Sequence, residues 1–139
     1  MIIYLIGSLR NPEVPKIAAY LREDRHEVFD DWYAAGPTAD DSWRDYEQQR
    51  GHSFEQALYG HAAGHVFNFD KYHINRADAA VLVLPAGKSG HLELGYAIGL
   101  GKYGFILLDN QPDRFDVMYK FANGVYSSLE ELRDRLSLL

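Results

Sequence analysis

Cysteine is absent from the sequence, which excludes a disulfide scaffold, a thiolate metal site and a cysteine nucleophile. Basic charge is scarce as well. Fourteen lysines and arginines against 20 acids leave a net charge of -6, so there is no cationic field to attract a nucleic-acid polymer or an anionic membrane. No apolar run approaches the ~20 residues that span a bilayer. Met1 leads directly into Ile2-Ile3-Tyr4-Leu5-Ile6, which is too short for a secretory apolar region and lacks a cationic start. These absences fit a cytoplasmic protein. Internal repeats, low-complexity segments and linkers are also missing. What remains is the composition of a globular protein, 47% hydrophobic and 24% charged, expected to form a single domain over residues 1–139. Aromatic residues are abundant at 14%, ten of them tyrosines; such rings line pockets and interfaces, but more often fill a core.

Apolar periodicity divides the chain into alternating strands and helices. Ile2 to Ile6 is apolar throughout, as a central parallel strand must be. A Gly7-to-Pro12 loop follows, then a helix carrying Val14, Ile17, Ala18 and Leu21 at helical spacing, with Pro12 or Pro15 in its first turn. Glu27 to Trp32 is the expected second strand. An insertion from Ser42 to about Val66 has helical spacing at Trp43 and Tyr46 and again at Phe54 and Leu58. Phe67 to Ala77 predicts a helix, Ala79 to Leu84 a buried strand, and His91 to Lys102 a helix with Glu93 in its first turn. Gly95, Gly99 and Gly101 are expected to allow close backbone approach. Tyr103 to Leu108 is a strand, Phe115 to Phe121 a short helix and Gly124 to Tyr126 a last strand. Ser127 or Ser128 caps a final helix with Glu130 and Glu131 in its first turn. The alternation predicts an α/β domain with a flavodoxin-like, doubly wound sheet of five parallel strands and helices on both faces.

In such a sheet the ligand sits outside the carboxyl ends of the strands. Four groups fall there: Gly7-Ser8-Leu9-Arg10, Asp30-Asp31, Gly87 to Glu93, and Asp109-Asn110. Glycine loops and an arginine suit an oxygen-rich or anionic ligand. Gly87-Lys88-Ser89 is no P-loop, because the first glycine would fall at Leu82, inside a strand. No dinucleotide fingerprint follows the first strand either. His61 and His65 stand four apart, but no third ligand accompanies them and no metal is expected. His91 is near enough to Glu93 to matter, with a loop hydrogen bond as its simpler use. Asp78 has the position of a cap or turn acid. Trp32, Tyr33, Trp43 and Tyr46 either cover the sheet or form a lid, burial being the commoner fate of such rings.

Three segments, Tyr4 to Arg10, Asp70 to Asp78 and Ser89 to Ala97, make the chain resemble the nucleoside 2-deoxyribosyltransferases and their relatives, the nucleoside 5′-monophosphate N-glycosidases. The resemblance runs in order over most of the chain and is weakest over residues 33–66. It implies that Glu93 attacks the anomeric carbon of the sugar, as an oxocarbenium-like transition state requires of a carboxylate. It further implies that Asp70 acts on the leaving base and that Tyr4, placed at the end of the first strand, positions the nucleophile. Gly7, Ser8, Arg10, Ser89 and Gly90 would bind the sugar or its 5′ substituent. Transferases of this kind carry another aspartate six residues before the nucleophile; here that position is Gly87. The hydrolytic relatives lack it and bind phosphate with small hydroxylated residues, a role open to Lys88 and Ser89. Asp116 matches a position from which a neighbouring subunit contacts the 5′ end of the sugar, where a carboxylate favours a free hydroxyl. The implied assembly is a homo-oligomer with shared sites, residues Asp116 to Asn123 being the neighbour's contribution. The implied partner is a small-molecule nucleoside or nucleotide, with no cofactor. A non-catalytic nucleotide- or ADP-ribose-binding module on the same fold is the alternative, favoured by Gly87; a purely structural oligomerisation domain is a third.

Overall fold

The computed structural model describes residues 1–139. Five parallel strands make one sheet in the order β2-β1-β3-β4-β5, where β1 is Ile2–Ile6, β2 Glu27–Phe29, β3 Ala79–Val83, β4 Tyr103–Leu107 and β5 Gly124–Tyr126. The helices are α1 (Glu13–Arg22), α2 (Ala39–Gln49), α3 (Phe54–Leu58), α4 (His61–Arg76), α5 (Lys88–Gly99) and α6 (Leu129–Ser137). This is the doubly wound, flavodoxin-like arrangement that the apolar pattern predicts. No helix is long and apolar enough to cross a membrane.

Strand side chains alternate between faces, so the sheet generates two cores. Ile3, Leu5, Val81, Val83 and Phe105 pack with Val14 and Leu21 of α1 and with Leu132 and Leu136 of α6. Tyr4, Ile6, Phe29, Ala80, Leu82 and Ile106 face the other way, towards Ile74 of α4 and Leu94 and Ala97 of α5. The Asp78 carboxylate accepts the Ile2 N–H at 2.7 Å, so it ties β3 to β1 as a turn acid. Ser128 caps α6 by accepting the Glu131 N–H, and Lys102 donates to the carbonyls of Asn75 and Ala77 at the C-terminal end of α4.

Several element boundaries differ from the sequence reading. β2 ends at Phe29, and Asp31–Ala35 is a 3-10 turn. The end is set by Asp30, whose carboxylate accepts from Arg22 at 2.6 Å, and by Trp32, whose indole N–H donates to the Leu5 carbonyl at 2.8 Å. Trp32 and Tyr33 are therefore packed against the cores, whereas Tyr46 is exposed. The insertion opens at Ala39 and its last part merges into α4, which starts at His61 rather than at Phe67. The segment before β5 is a 3-10 turn, Val117–Phe121, rather than a longer helix. A Cβ at Gly95, Gly99 or Gly101 would meet nothing within 4 Å, so these three glycines do not serve close backbone contact. Gly104 does so instead: a Cβ there would lie 2.5 Å from Ile98 Cγ1.

Candidate active site

Ile74 is the buried residue of α4, Ala77 follows the end of that helix, and Asp70 stands one turn before Ile74 on the same face. The stripe of α5 runs through Gly90, Leu94 and Ala97, and Glu93 lies among them. Two carboxylates thus occupy positions where the helices would otherwise bury apolar side chains. Tyr4, the middle residue of β1 and only 1% exposed, rises from the sheet within electrostatic reach of both. Its place in mid-strand corrects the expectation that it ends the strand. Glu93 likewise sits in the second turn of α5, because the helix begins at Lys88. Gly90 permits this seating, since a Cβ there would press on Ile6 Cγ2 and Leu82 Cδ1 at 3.1 Å.

Burial dominates the electrostatics of this group. It pushes the Glu93 carboxyl up to about 7; the Tyr4 hydroxyl, directed at Glu93, opposes that rise, and the negative charge of Asp70 adds to it. Burial alone raises the Asp70 carboxyl to about 6. The Tyr4 hydroxyl is held protonated far above its ordinary range, first by burial and then by the two carboxylates. The Tyr4–Glu93 contact is loose, without the geometry of a closed hydrogen bond, yet it leaves the phenol as a donor to the ionised acid. Between these values the pair holds one proton, which rests mainly on Glu93; the form with Glu93 ionised and Asp70 protonated, suited to attack on a carbon and to protonation of a leaving group, is the minor one.

An aromatic stack supports the group from the sheet edge. Tyr4 stacks on Phe29 with ring centroids 5.3 Å apart, and Phe29 stacks on His73 at 3.8 Å. His73 was not singled out in the sequence, although it lies three residues after Asp70 and so shares its helix face. Its Nδ1 is buried without a partner.

A cavity of about 360 Å³ opens after β1 and β3, lined by Ser8, Arg10, Asn11, Pro12, Pro85, Ala86 and Gly87. The N-terminal ends of α1 and α5 both meet it, and Gly87 caps α5 without offering a side chain, which leaves the first N–H groups of that helix free for an anion. The Ser8 Oγ accepts the Arg10 N–H at 3.1 Å, so its own hydrogen is free to donate. Asn11, 8% exposed, accepts the Glu13 N–H through Oδ1 and keeps its amide hydrogens unengaged. The sequence reading missed Asn11; the Asn-Pro pair opening a helix was its only signal. Ser89 stands one turn before Glu93 on the same side of α5, between cavity and acid. Gly7 shapes the loop rather than lining the cavity: a Cβ there would lie 3.1 Å from Val14 Cγ2.

A second cavity, about 430 Å³, lies along the opposite flank of α5, between Leu94, Ile98 and the 3-10 turn bearing Met118 and Tyr119. It contains none of Glu93, Asp70 and Tyr4, and its walls are mostly apolar. Asp116 lines it and caps the 3-10 turn by accepting the Met118 N–H at 2.9 Å. His91 bridges the two regions: one ring nitrogen bonds the Gly87 carbonyl at 2.8 Å and the other the Tyr119 hydroxyl at 2.9 Å. A carbonyl only accepts, so Nδ1 carries a proton and donates it to Gly87. Asn123 precedes β5 at the amino rim, where its side-chain oxygen accepts the Gly104 N–H at 2.8 Å. Within one chain, then, Asp116 and Asn123 are not gathered around Glu93. No group of three His, Asp or Glu side chains stands where it would hold a metal ion, His61 and His65 included.

No protein-family model and no curated protein matches the chain. Solved structures do. The fold is shared with a 2-deoxyribosyltransferase from Bacillus psychrosaccharolyticus, at a TM-score of 0.63 and 19% identity over 96% of this chain and 91% of that one. A CMP N-glycosidase of Clostridium botulinum superposes with a TM-score of 0.59 and 14% identity, 99% of each chain being covered. A conserved protein from Enterococcus faecalis V583 gives a TM-score of 0.66 at 14% identity, covering 99% of this chain and 98% of its own. The class is thus the flavodoxin-like α/β fold. Both kinds of protein that the sequence motifs resemble are among the solved structures that share it.

Proposed function

We propose that this protein is an enzyme that cleaves or transfers the N-glycosidic bond of a nucleoside or nucleotide, with Glu93 as nucleophile. The observation that carries the reading is the group of Glu93, Asp70 and Tyr4, a buried phenol with two half-buried carboxylates near enough to act on it electrostatically. In the forward step the Glu93 carboxylate bonds to the anomeric carbon as the bond to the base breaks. Asp70, protonated, supplies the proton or hydrogen bond that the departing base requires. Tyr4 holds Glu93 in place and stabilises its charge through the phenolic hydrogen. A water, or the nitrogen of a second base, then attacks the anomeric carbon and frees Glu93, and Asp70 takes back a proton. Gly87, where a transferase would place an aspartate, supports water as the acceptor.

The cavity at Ser8, Arg10, Asn11 and Gly87 is the proposed seat of the 5′ end, with Ser89 and Gly90 along the sugar. Its arginine, hydroxyl, free amide and helix ends suit a 5′-phosphate, and Asp116, on the other flank of α5, does not oppose that in the single chain. We further propose a homo-oligomer in which the segment Asp116 to Asn123 approaches a neighbouring site. Phe115, Met118 and Phe121 are largely exposed, as are Val66, Phe67, Tyr72 and Leu92 on α4 and α5.

The test is to incubate the protein with deoxynucleosides and their 5′-monophosphates, with and without an acceptor base. Release of free base is the expected result, reduced about a thousandfold or more in Glu93→Ala. Exchange of base would assign the transferase instead. Binding without product, equally tight in Glu93→Ala, would assign the non-catalytic module that Gly87 permits and would sink both enzyme readings.

A further inference from the structure

Arg10 belongs to the cavity after β1, yet its charge is shared with the insertion. Its Nε donates to the Pro37 carbonyl at 3.4 Å and its Nη2 to Asp41 Oδ2 at 3.3 Å. Asp41 is the third residue of α2 and also faces Arg44 Nη1 at 3.6 Å. Arg10 and Asp41 are 69% and 46% exposed, and an exposed ion pair adds little to stability. Its larger effect is to set a negative charge beside a cavity otherwise built for an anion. The Nε–Nη2 edge of Arg10 is committed to Pro37 and Asp41, while Nη1 keeps both hydrogens. A phosphate oxygen held by Nη1 would lie one guanidinium away from the Asp41 carboxylate.

We propose that Asp41 is a specificity-determining residue, which offsets the charge of Arg10 and disfavours substrates with an anionic 5′ substituent relative to those with a free 5′ hydroxyl. The inference rests on the reading of this cavity as the 5′ subsite. Asp41 acts through Arg10 and through space, so removing its charge strengthens phosphate binding and leaves neutral nucleosides untouched. Across ~6–8 Å of partly screened solvent, one unit charge alters affinity roughly two- to tenfold. The same screening makes the effect fade at high salt.

Asp41→Asn retains shape and an acceptor for Arg10 while removing the charge; Asp41→Ala removes both. For the full chain, kcat/KM is measured for a deoxynucleoside 5′-monophosphate and for the same deoxynucleoside, and inorganic phosphate binding is followed by calorimetry at low and high salt. In Asp41→Asn the monophosphate-to-nucleoside ratio should rise about two- to tenfold, with phosphate Kd tightened in parallel and the gain shrinking with salt. An unchanged ratio and Kd in Asp41→Asn would overturn the proposal. So would a loss confined to Asp41→Ala, which would mean that Asp41 merely positions Arg10. If the protein turns over neither substrate, the proposed activity fails, and the phosphate Kd of the variants still decides the role of Asp41: tightening in Asp41→Asn supports it, and no phosphate binding in any form refutes it.

Discussion

At Glu93, burial and the charge of Asp70 act together to keep a proton on a carboxyl that the proposed chemistry needs ionised. The pair shares its protons between about 6 and 7, so the form with one proton is most populated in that window, and the proposed step draws on its minor arrangement, in which Asp70 rather than Glu93 carries the proton. A bell-shaped kcat/KM profile with its maximum near that interval is expected for base release. Asp70→Asn removes the charge that raises Glu93, so the acidic limb should move to lower pH while the rate falls, because the amide is a poor acid. An acidic limb that stays in place in Asp70→Asn would show that the two groups do not communicate. The stability consequence has a definite sign. An acid whose folded pKa is raised contributes most below its unfolded value, here 4.5, and that contribution is lost as pH rises through about 7. Glu93→Gln should therefore raise the melting temperature at pH 8 by a few degrees and change it little at pH 4, which thermal unfolding at the two pH values will check.

Among the elements, α5 controls the site because it carries Ser89, Gly90, His91 and Glu93 and must sit close to β3 and β4. Gly104 on β4 and Gly90 on α5 are the points of closest approach. Gly104→Ala would drive a methyl into Ile98 and Leu94, overpacking the interface by roughly 1–3 kcal/mol in denaturant unfolding. It should also lower kcat, since it lifts the helix that holds Glu93. At the far end of the chain, Ser128→Ala removes the cap of α6 at a cost of about 1 kcal/mol and should leave the pH profile unchanged. Most of the elements were legible in the sequence, because buried parallel strands such as Ala79–Val83 are apolar throughout and α1 repeats apolar residues at helical spacing. The start of α5 was not legible. Lys88, Ser89 and Gly90 have loop composition, and only the packing of Gly90 on Ile6 and Leu82 draws them into the helix. The glycine stripe of α5 misled for the matching reason: a glycine signals close packing only if something packs there, and nothing of this chain does at Gly95 or Gly99.

For the whole molecule, α4 is the element that a single chain leaves unfinished. Over 16 residues it buries only Ile74, while Val66, Phe67, Phe69 and Tyr72 remain exposed. A second copy covering this face is the proposed remedy, and Phe67→Glu should convert the oligomer to monomers in sedimentation analysis. A protein that sediments as a monomer before any substitution would refute it. The sequence by itself determined the order of strands and helices, the all-parallel sheet with its carboxyl rim, and the acids and loops that stand there, because burial periodicity and glycine loops are local properties. It also supplied Glu93, Asp70 and Tyr4 through the motifs that carry the resemblance. Only the tertiary structure decided that these three come together, since Tyr4 and Asp70 are 66 positions apart in sequence and approach only when α4 and β1 pack on the same side of the sheet. It likewise decided that Asn11 joins Arg10 in the cavity, that Asp116 and Asn123 stand elsewhere in the single chain, and that Asp41 lies beside Arg10. Each of these depends on long-range packing and on desolvation, which no local pattern encodes.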